Sequence, residues 1–282
     1  MFDRFCSVKV GDNDFTGLRT RFEVSSGYQN RVKRATISLY NISESKFNGL
    51  KSDDIVEFSI LDNQSLKIVF YGYLSSTDRN KDQDGSEVTT LYSWSGNHVF
   101  LKKKYAVTFD KGATGIDVLD WLRKQIPLIE VILNEESNTA ISNKVYKGGL
   151  TVKGTLSDIF YQFSETINQK FILDNAQVFI GSPGTKTIPV SSDSEKGMIG
   201  HPSITIAGAK VSTELNAIAR IGDNVSLVSR YYSLMSSDSD SVTLNNRTAN
   251  GLYRINDITL QGDTHSDQWQ NNYELLLLED RA

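Results

Sequence analysis

The 282-residue chain holds a single cysteine, Cys6. An intrachain disulfide is therefore impossible and a cysteine-based zinc site is excluded, so assembly in a reducing cytoplasm is the plain inference. Histidine is nearly as scarce: His98, His201 and His265 fall in different segments, none at a metal-ligand spacing such as the helical i, i+4 pair. No apolar run approaches the roughly 20 residues of a membrane helix, and Leu275 to Leu278 is far too short. Asp3 and Arg4 have no apolar stretch behind them, so a secretory signal is not expected. The formal net charge of -4 is spread without a long block of one sign, which removes the electrostatic footprint of a tight nucleic-acid binder. A Gly-x-Ser-x-Gly elbow is missing too, and Cys6 carries no local signature of a nucleophile.

What the chain does have is strand. Aromatic residues make up 10%, β-branched residues run throughout, and prolines number four. Such a composition describes a folded, strand-rich protein, and its length exceeds what one core comfortably serves, so two or three domains are expected. Alternation of apolar and polar residues predicts strands near 17–25, 32–42, 54–61, 67–77 and 87–96, with a polar hairpin tip over 78–85 where Asp84-Gly85 suits a tight turn. The pattern changes after about residue 105. Thr114 can cap a helix carrying Ile116, Leu119, Trp121, Leu122 and Ile126 and ending at Pro127. Thr155, with Asp158 three residues on, opens a second helix that sets Leu156, Ile159, Phe160 and Phe163 on one face, a buried stripe. Lys170 to Ile180 reads as two short strands about a turn. The Gly/Ser/Pro content of Gly181 to Gly184 and Ser191 to Gly197 marks a linker. Beyond about 200 the chain is strand-like again: Val225 and Leu227, then Tyr253, Ile255 and Ile258, alternate nearly at the period that buries one sheet face. Ser233 to Asn250 is a polar stretch expected to be a long hairpin loop that orders only against a neighbour. Boundaries follow at 1–105, 106–182 and 183–282.

Candidate chemistry is sparse. His265 beside Asp263 and Asp267 is the one acid/histidine cluster, and short turns of this kind ordinarily bond their own backbone. Gly222-Asp223-Asn224 and Gly262-Asp263-Thr264 do not open onto a helix N-terminus as a phosphate loop would, so both read as turns. Two carboxylates of a glycosidase meet only in the fold, which keeps that enzyme class as an alternative. Trp94, Trp121 and Trp269 read as core or interface anchors rather than a sugar platform. A lysin-motif-like wall-binding pattern in the middle segment is faint. No catalytic, cofactor or metal residue is assigned.

The order of motifs is more telling than any one of them. Leu215-Asn216, Gly222-Asp223-Asn224-Val225, Gly251-Leu252-Tyr253-Arg254-Ile255, Gly262-Asp263-Thr264 and Trp269 together resemble the C-terminal domain of baseplate hub proteins from phage tails. Ala35 to Ser43 is similar to the strand "a-x-I-x-I-Y-N-L-S" of those hubs, and Ile68 to Leu74 to their "I-F-x-G-x-I" strand. The resemblance implies a mainly β (α+β) fold, two antiparallel tail-tube-like β-barrel domains with a small α/β insertion. It also implies a structural, non-enzymatic virion protein without cofactors: the central hub of a tail baseplate of the contractile type, assembled in the host cytoplasm and released by lysis. Its partners would be two further copies in a homotrimer, the hexameric tail tube, the trimeric spike, the tape-measure protein and the baseplate wedges. DNA would pass through the lumen without specific binding, with which a mildly acidic chain is compatible. Cell-wall-degrading glycosidase and wall- or sugar-binding tip protein are the rival readings.

Overall fold

The computed structural model describes residues 4–28, 32–127, 129–181, 183–184, 186–191, 197–234 and 248–280. The N-terminal portion runs β1 (Cys6–Val10), β2 (Asn13–Asp14), β3 (Thr20–Gly27), β4 (Arg34–Tyr40), a short helix α1 (Glu44–Asn48), β5 (Ile55–Asp62), β6 (Ser65–Lys81) and β7 (Glu87–Trp94). The middle carries α2 (His98–Leu101), β8 (Lys104–Phe109), α3 (Gly115–Gln125), β9 (Glu130–Leu133), α4 (Glu135–Asn143), β10 (Leu150–Thr155), α5 (Leu156–Thr166), β11 (Phe171–Asp174) and β12 (Gln177–Ile180). The last portion is β13 (Thr187–Ser191), β14 (Met198–Ile204), β15 (Gly208–Glu214), β16 (Asn224–Val228), β17 (Ser233–Leu234), β18 (Gly251–Asp263) and β19 (Trp269–Asp280).

The fold is mainly β with an α/β body set between two β portions, as the sequence led us to expect. The two β portions are welded edge to edge. β3 pairs antiparallel with β18 from Arg21↔Asp263 to Gly27↔Asp257, giving one hydrogen-bonded sheet in the order β17-β14-β15-β19-β18-β3-β4-β7-β6-β5-β1-β2. β16 adds to β18, and β13 to β16. A single apolar core draws on both portions, including Phe22, Ile37, Phe58 and Phe70 from the first and Val211, Val225, Tyr253 and Ile255 from the second. Pairing two potential edges with each other removes them as templates for aggregation.

The α/β body has a core of its own. Thr114 and Thr155 each close a capping box, with Asp117 and Asp158 respectively, so both helices begin where the Thr-x-x-Asp spacing places them. Leu156, Ile159, Phe160 and Phe163 are buried. Phe160 stacks between Phe100 at 5.7 Å and Phe171 at 5.6 Å. Ile116, expected on the buried face of α3, is instead exposed, because the core side of that helix is held by Val118, Leu119 and Leu122. The Phe171–Ile180 hairpin turns at Asn175 and Ala176, both at positive φ (49° and 57°), the pair a type I′ turn requires. Its tip is tied to the N-terminal strands: the Asn175 side chain accepts from Tyr71 N at 3.0 Å, and Lys33 pairs with Asp174 at 2.7 Å.

Other details depart from expectation. The polar run 78–81 belongs to β6, and the turn proper is 82–86, where Gly85 at φ 82° follows a turn closed by Gly85 N–H to Asp82 C=O at 3.0 Å. Only the glycine of Asp84-Gly85 takes a positive φ. Most of the expected linker over 191–197 and of the long loop over 233–250 lies outside the described residues. β1, β2, β8, β9, β10, β13, α1, α2 and α4 were not anticipated.

Candidate functional site

The two Gly-Asp turns are structural. Asp223 is buried and its carboxylate accepts from Lys186 N at 2.9 Å and Arg220 N at 2.8 Å, fixing the loop that enters β16. At Gly262 a Cβ would fall 2.6 Å from the Trp269 ring and 2.7 Å from that of Phe22, so only glycine lets these two rings close over the β3–β18 joint. Asp263 is buried, accepts from His265 N at 2.8 Å and faces Arg19 at 3.4 Å, while Thr264 exchanges bonds with Thr20. Asp267 points elsewhere, to Arg4. The Asp263, His265 and Asp267 carboxylates and ring thus diverge into a turn. Among the described residues no group of three His, Cys, Asp or Glu side chains could hold a metal ion.

The other histidines lie apart: His98 opens α2, its N–H donating to Asp53 at 3.2 Å, and His201 sits on β14. Cys6 is buried in β1, and burial, with Asp263 adding to it, pushes its thiol up to about 12. It is no nucleophile. The tryptophans anchor packing: Trp94 under Arg34 at 4.4 Å, Trp121 edge-on to Tyr105 and Phe109, Trp269 edge-on to Phe22.

What the sequence reading missed is a face rather than a pocket. Residues directly opposite on antiparallel neighbours share a face. One such row is Ser212–Asn272–Thr259–Ser25–Arg34, and the next is Glu214–Gln270–Gln261–Glu23–Thr36–Tyr92–Ser76. A third row, Arg21–Ser38–Thr90–Asp78, extends it. The polar side of the sheet therefore runs along the second row over β15, β19, β18, β3, β4, β7 and β6, across the weld, while the first row gives way beyond Arg34 to Trp94 and Tyr73. Its charges are of both signs. The alternation that carries this face was in the sequence, but the pairing of β3 with β18 that makes it continuous was not.

On this face a groove of 530 Å³ is lined by His201, Ser203, Lys210, Asp257, Asn272 and Glu274. Asp257 and Glu274 stand opposite each other in register. Burial, reinforced by the Glu274 charge, raises the Asp257 carboxyl to about 6, with the Asn256 amide donor, Lys170 and Lys210 acting in the other direction. Glu274 is ion-paired to Lys210 at 2.5 Å. Two carboxylates facing each other, one of them with its carboxyl raised, form the kind of pair that acid/base chemistry can use.

No family model matches the chain, and no curated protein matches it. Solved structures do. A tail protein from Neisseria meningitidis MC58 is similar over 98% of this chain and 97% of its own, with a TM-score of 0.68 at 12% identity. The 43 kDa tail protein of prophage MuSo2 from Shewanella oneidensis matches over 97% and 98%, with a TM-score of 0.67 at 9% identity. An Escherichia coli component of the type VI secretion system, itself structurally similar to the T4 bacteriophage tail proteins gp27 and gp5, matches over 96% of this chain and 77% of its own, with a TM-score of 0.58 at 8% identity. At these identities the likeness is one of fold, and the fold is that of phage tail and hub-like proteins, in agreement with the resemblance of the sequence motifs.

Proposed function

We propose that the chain is a structural component of a phage-type tail, the central baseplate hub that joins the hexameric tube to the trimeric spike. The observation that carries this reading is the continuous polar sheet face. A sheet with one buried side and one polar side that continues across the joint suits the wall of a water-filled passage, and its mixed charge offers no track on which a polyanion would stick. In this reading the chain is organised as 1–105, 106–182 and 183–282, and three copies close a ring whose polar faces line the lumen. Two β portions per chain then present six similar surfaces to the tube and three to the spike. The tape-measure protein would end in that lumen, wedge proteins would pack outside it, and the protein would reside in a virion tail assembled in the host cytoplasm. Cross-linking mass spectrometry and a cryo-EM map of the intact particle test this: three copies at the tube–spike junction are expected, and one or six copies would end the assignment.

The Asp257–Glu274 pair gives a specific reason to test a second reading, a glycosidase acting on cell-wall glycan. Zymography on peptidoglycan is expected to show no clearing. Clearing by the parent that Asp257→Asn or Glu274→Gln abolishes would replace the structural reading with the enzymatic one.

A further inference from the structure

The α/β body carries a two-stranded ribbon, β8 paired with β10, that belongs to neither of the larger sheets. Its outward face bears Lys104, Ala106 and Thr108 opposite Thr155, Lys153 and Thr151, all but Thr155 exposed. Lys102 and Lys103 precede β8, and Lys111 and Lys147 close its far end, so the ribbon is strongly basic although the chain as a whole is acidic. Among the described residues none of these lysines forms an ion pair; Lys103 lies over the Tyr105 ring at 5.1 Å. The nearby acids are Asp110 at the strand end and Asp158, whose carboxylate is taken up by the Thr155 cap at 3.0 and 2.8 Å.

The second observation is the open edge. The Lys153 carbonyl accepts from Gln162 Nε2 at 3.0 Å, so it faces away from β8, and Lys153 with its opposite number Ala106 forms a non-hydrogen-bonded pair. By the alternation of an antiparallel ladder, the main-chain N–H and C=O groups of Lys104, Ala106 and Thr108 then point away from β10. α5 covers the β10 side, whereas among the described residues β8 pairs with no strand but β10. Lysines on an edge can simply deter self-pairing. Here Lys104 and Lys153 share one face of the ribbon while half-buried Tyr105, Val107 and Phe109 take the other, and a matching strand would need that same two-sided pattern.

We infer that β8 is a docking edge for an extended partner segment of alternating acidic and apolar residues. Such a segment adds a third strand, its acids over Lys104 and Lys153 and its apolar side chains continuing the row of Tyr105, Val107 and Phe109. A peptide is favoured over nucleic acid because the edge offers carbonyl acceptors as well as N–H donors, and because Tyr105 and Phe109 are turned inward against Trp121, where no base could stack on them. The inference rests on the ribbon alone and stands or falls independently of the hub assignment.

The test is fluorescence anisotropy with the full chain and a labelled seven-residue peptide alternating Glu and Val, against a block peptide of the same composition and a single-stranded oligothymidine. The alternating peptide is expected to bind tightest and to weaken with salt. Ala106→Pro, which removes one outward N–H and leaves the β10 pairing intact, and the charge reversal Lys104→Glu with Lys153→Glu should each weaken binding tenfold or more, with circular dichroism and melting unchanged. If the proline variant does not fold, the charge-reversed variant decides. Equal binding of the block peptide, tighter binding of oligothymidine, or an alternating-peptide affinity untouched by the folded variants would each overturn the inference.

Discussion

At the scale of single residues, the positions that drew the eye in the sequence turn out to hold the molecule together. Gly262, Asp263 and Thr264 lock the start of β3 to the β18–β19 hairpin, and Asp223 ties down a loop with two main-chain bonds. Asp223→Ala leaves both donors without that acceptor and should cost about 2 to 4 kcal/mol, measured by urea unfolding. Full stability would show that the loop finds other partners. The charge with the clearest consequence is that of Asp257. Its folded-state carboxyl, at about 6, stands above the ordinary value of 3.8. The penalty is therefore absent below about pH 4, grows as the pH rises through 6 and is complete above it. Asp257→Asn should leave the melting temperature unchanged near pH 4 and raise stability at pH 7.5 by about 1 kcal/mol, allowing for partial exposure to solvent. A gain that is the same at both pH values would refute this account. Nothing in the sequence foretold it, because Glu274 reaches Asp257 only through the β18–β19 register.

At the scale of elements, legibility followed how local the determining physics is. α3 and α5 start at threonines whose caps lie three residues away, and both were readable to the residue. The hairpin at Asn175-Ala176 was readable for the same reason. α1 buries nothing, so it had no stripe to find. β13 lies between the two stretches read as linker and contains Pro189, which weakens the strand signal of an edge strand. β8 and β10 are only half-buried ribbons, too short for their alternation to stand out. The Phe100, Phe160 and Phe171 stack ties α2, α5 and β11 together, so Phe160→Ala should cost about 3 to 5 kcal/mol in chemical denaturation. A variant of parental stability that fails to assemble would instead make the stripe an interface.

At the scale of the whole molecule, the weld decides how the protein unfolds. Separate β domains would each keep a core and melt independently. Here seven residues of β3 pair with β18, and one apolar core runs beneath both portions, so cutting between them strips each of an edge partner and of part of its interior. With each main-chain hydrogen bond worth about 1 kcal/mol net, and Phe22 losing its contact with Trp269, the loss exceeds what a domain of ordinary marginal stability can absorb. A fragment of residues 1–105 produced alone should therefore show no cooperative melt and should aggregate through the freed edge of β3. The full chain should lose the near-ultraviolet signals of Trp94 and Trp269, one in each β portion, in a single transition. Single-tryptophan variants make this measurable, since Trp121 in the α/β body can be replaced by Phe and each remaining ring followed alone. Two separated transitions, or a fragment that melts cooperatively at the parental temperature, would mean that the joint is a contact between autonomous domains. A single transition would mean that any rearrangement opening a passage between copies must move whole chains, because the β portions within one chain are not free to part.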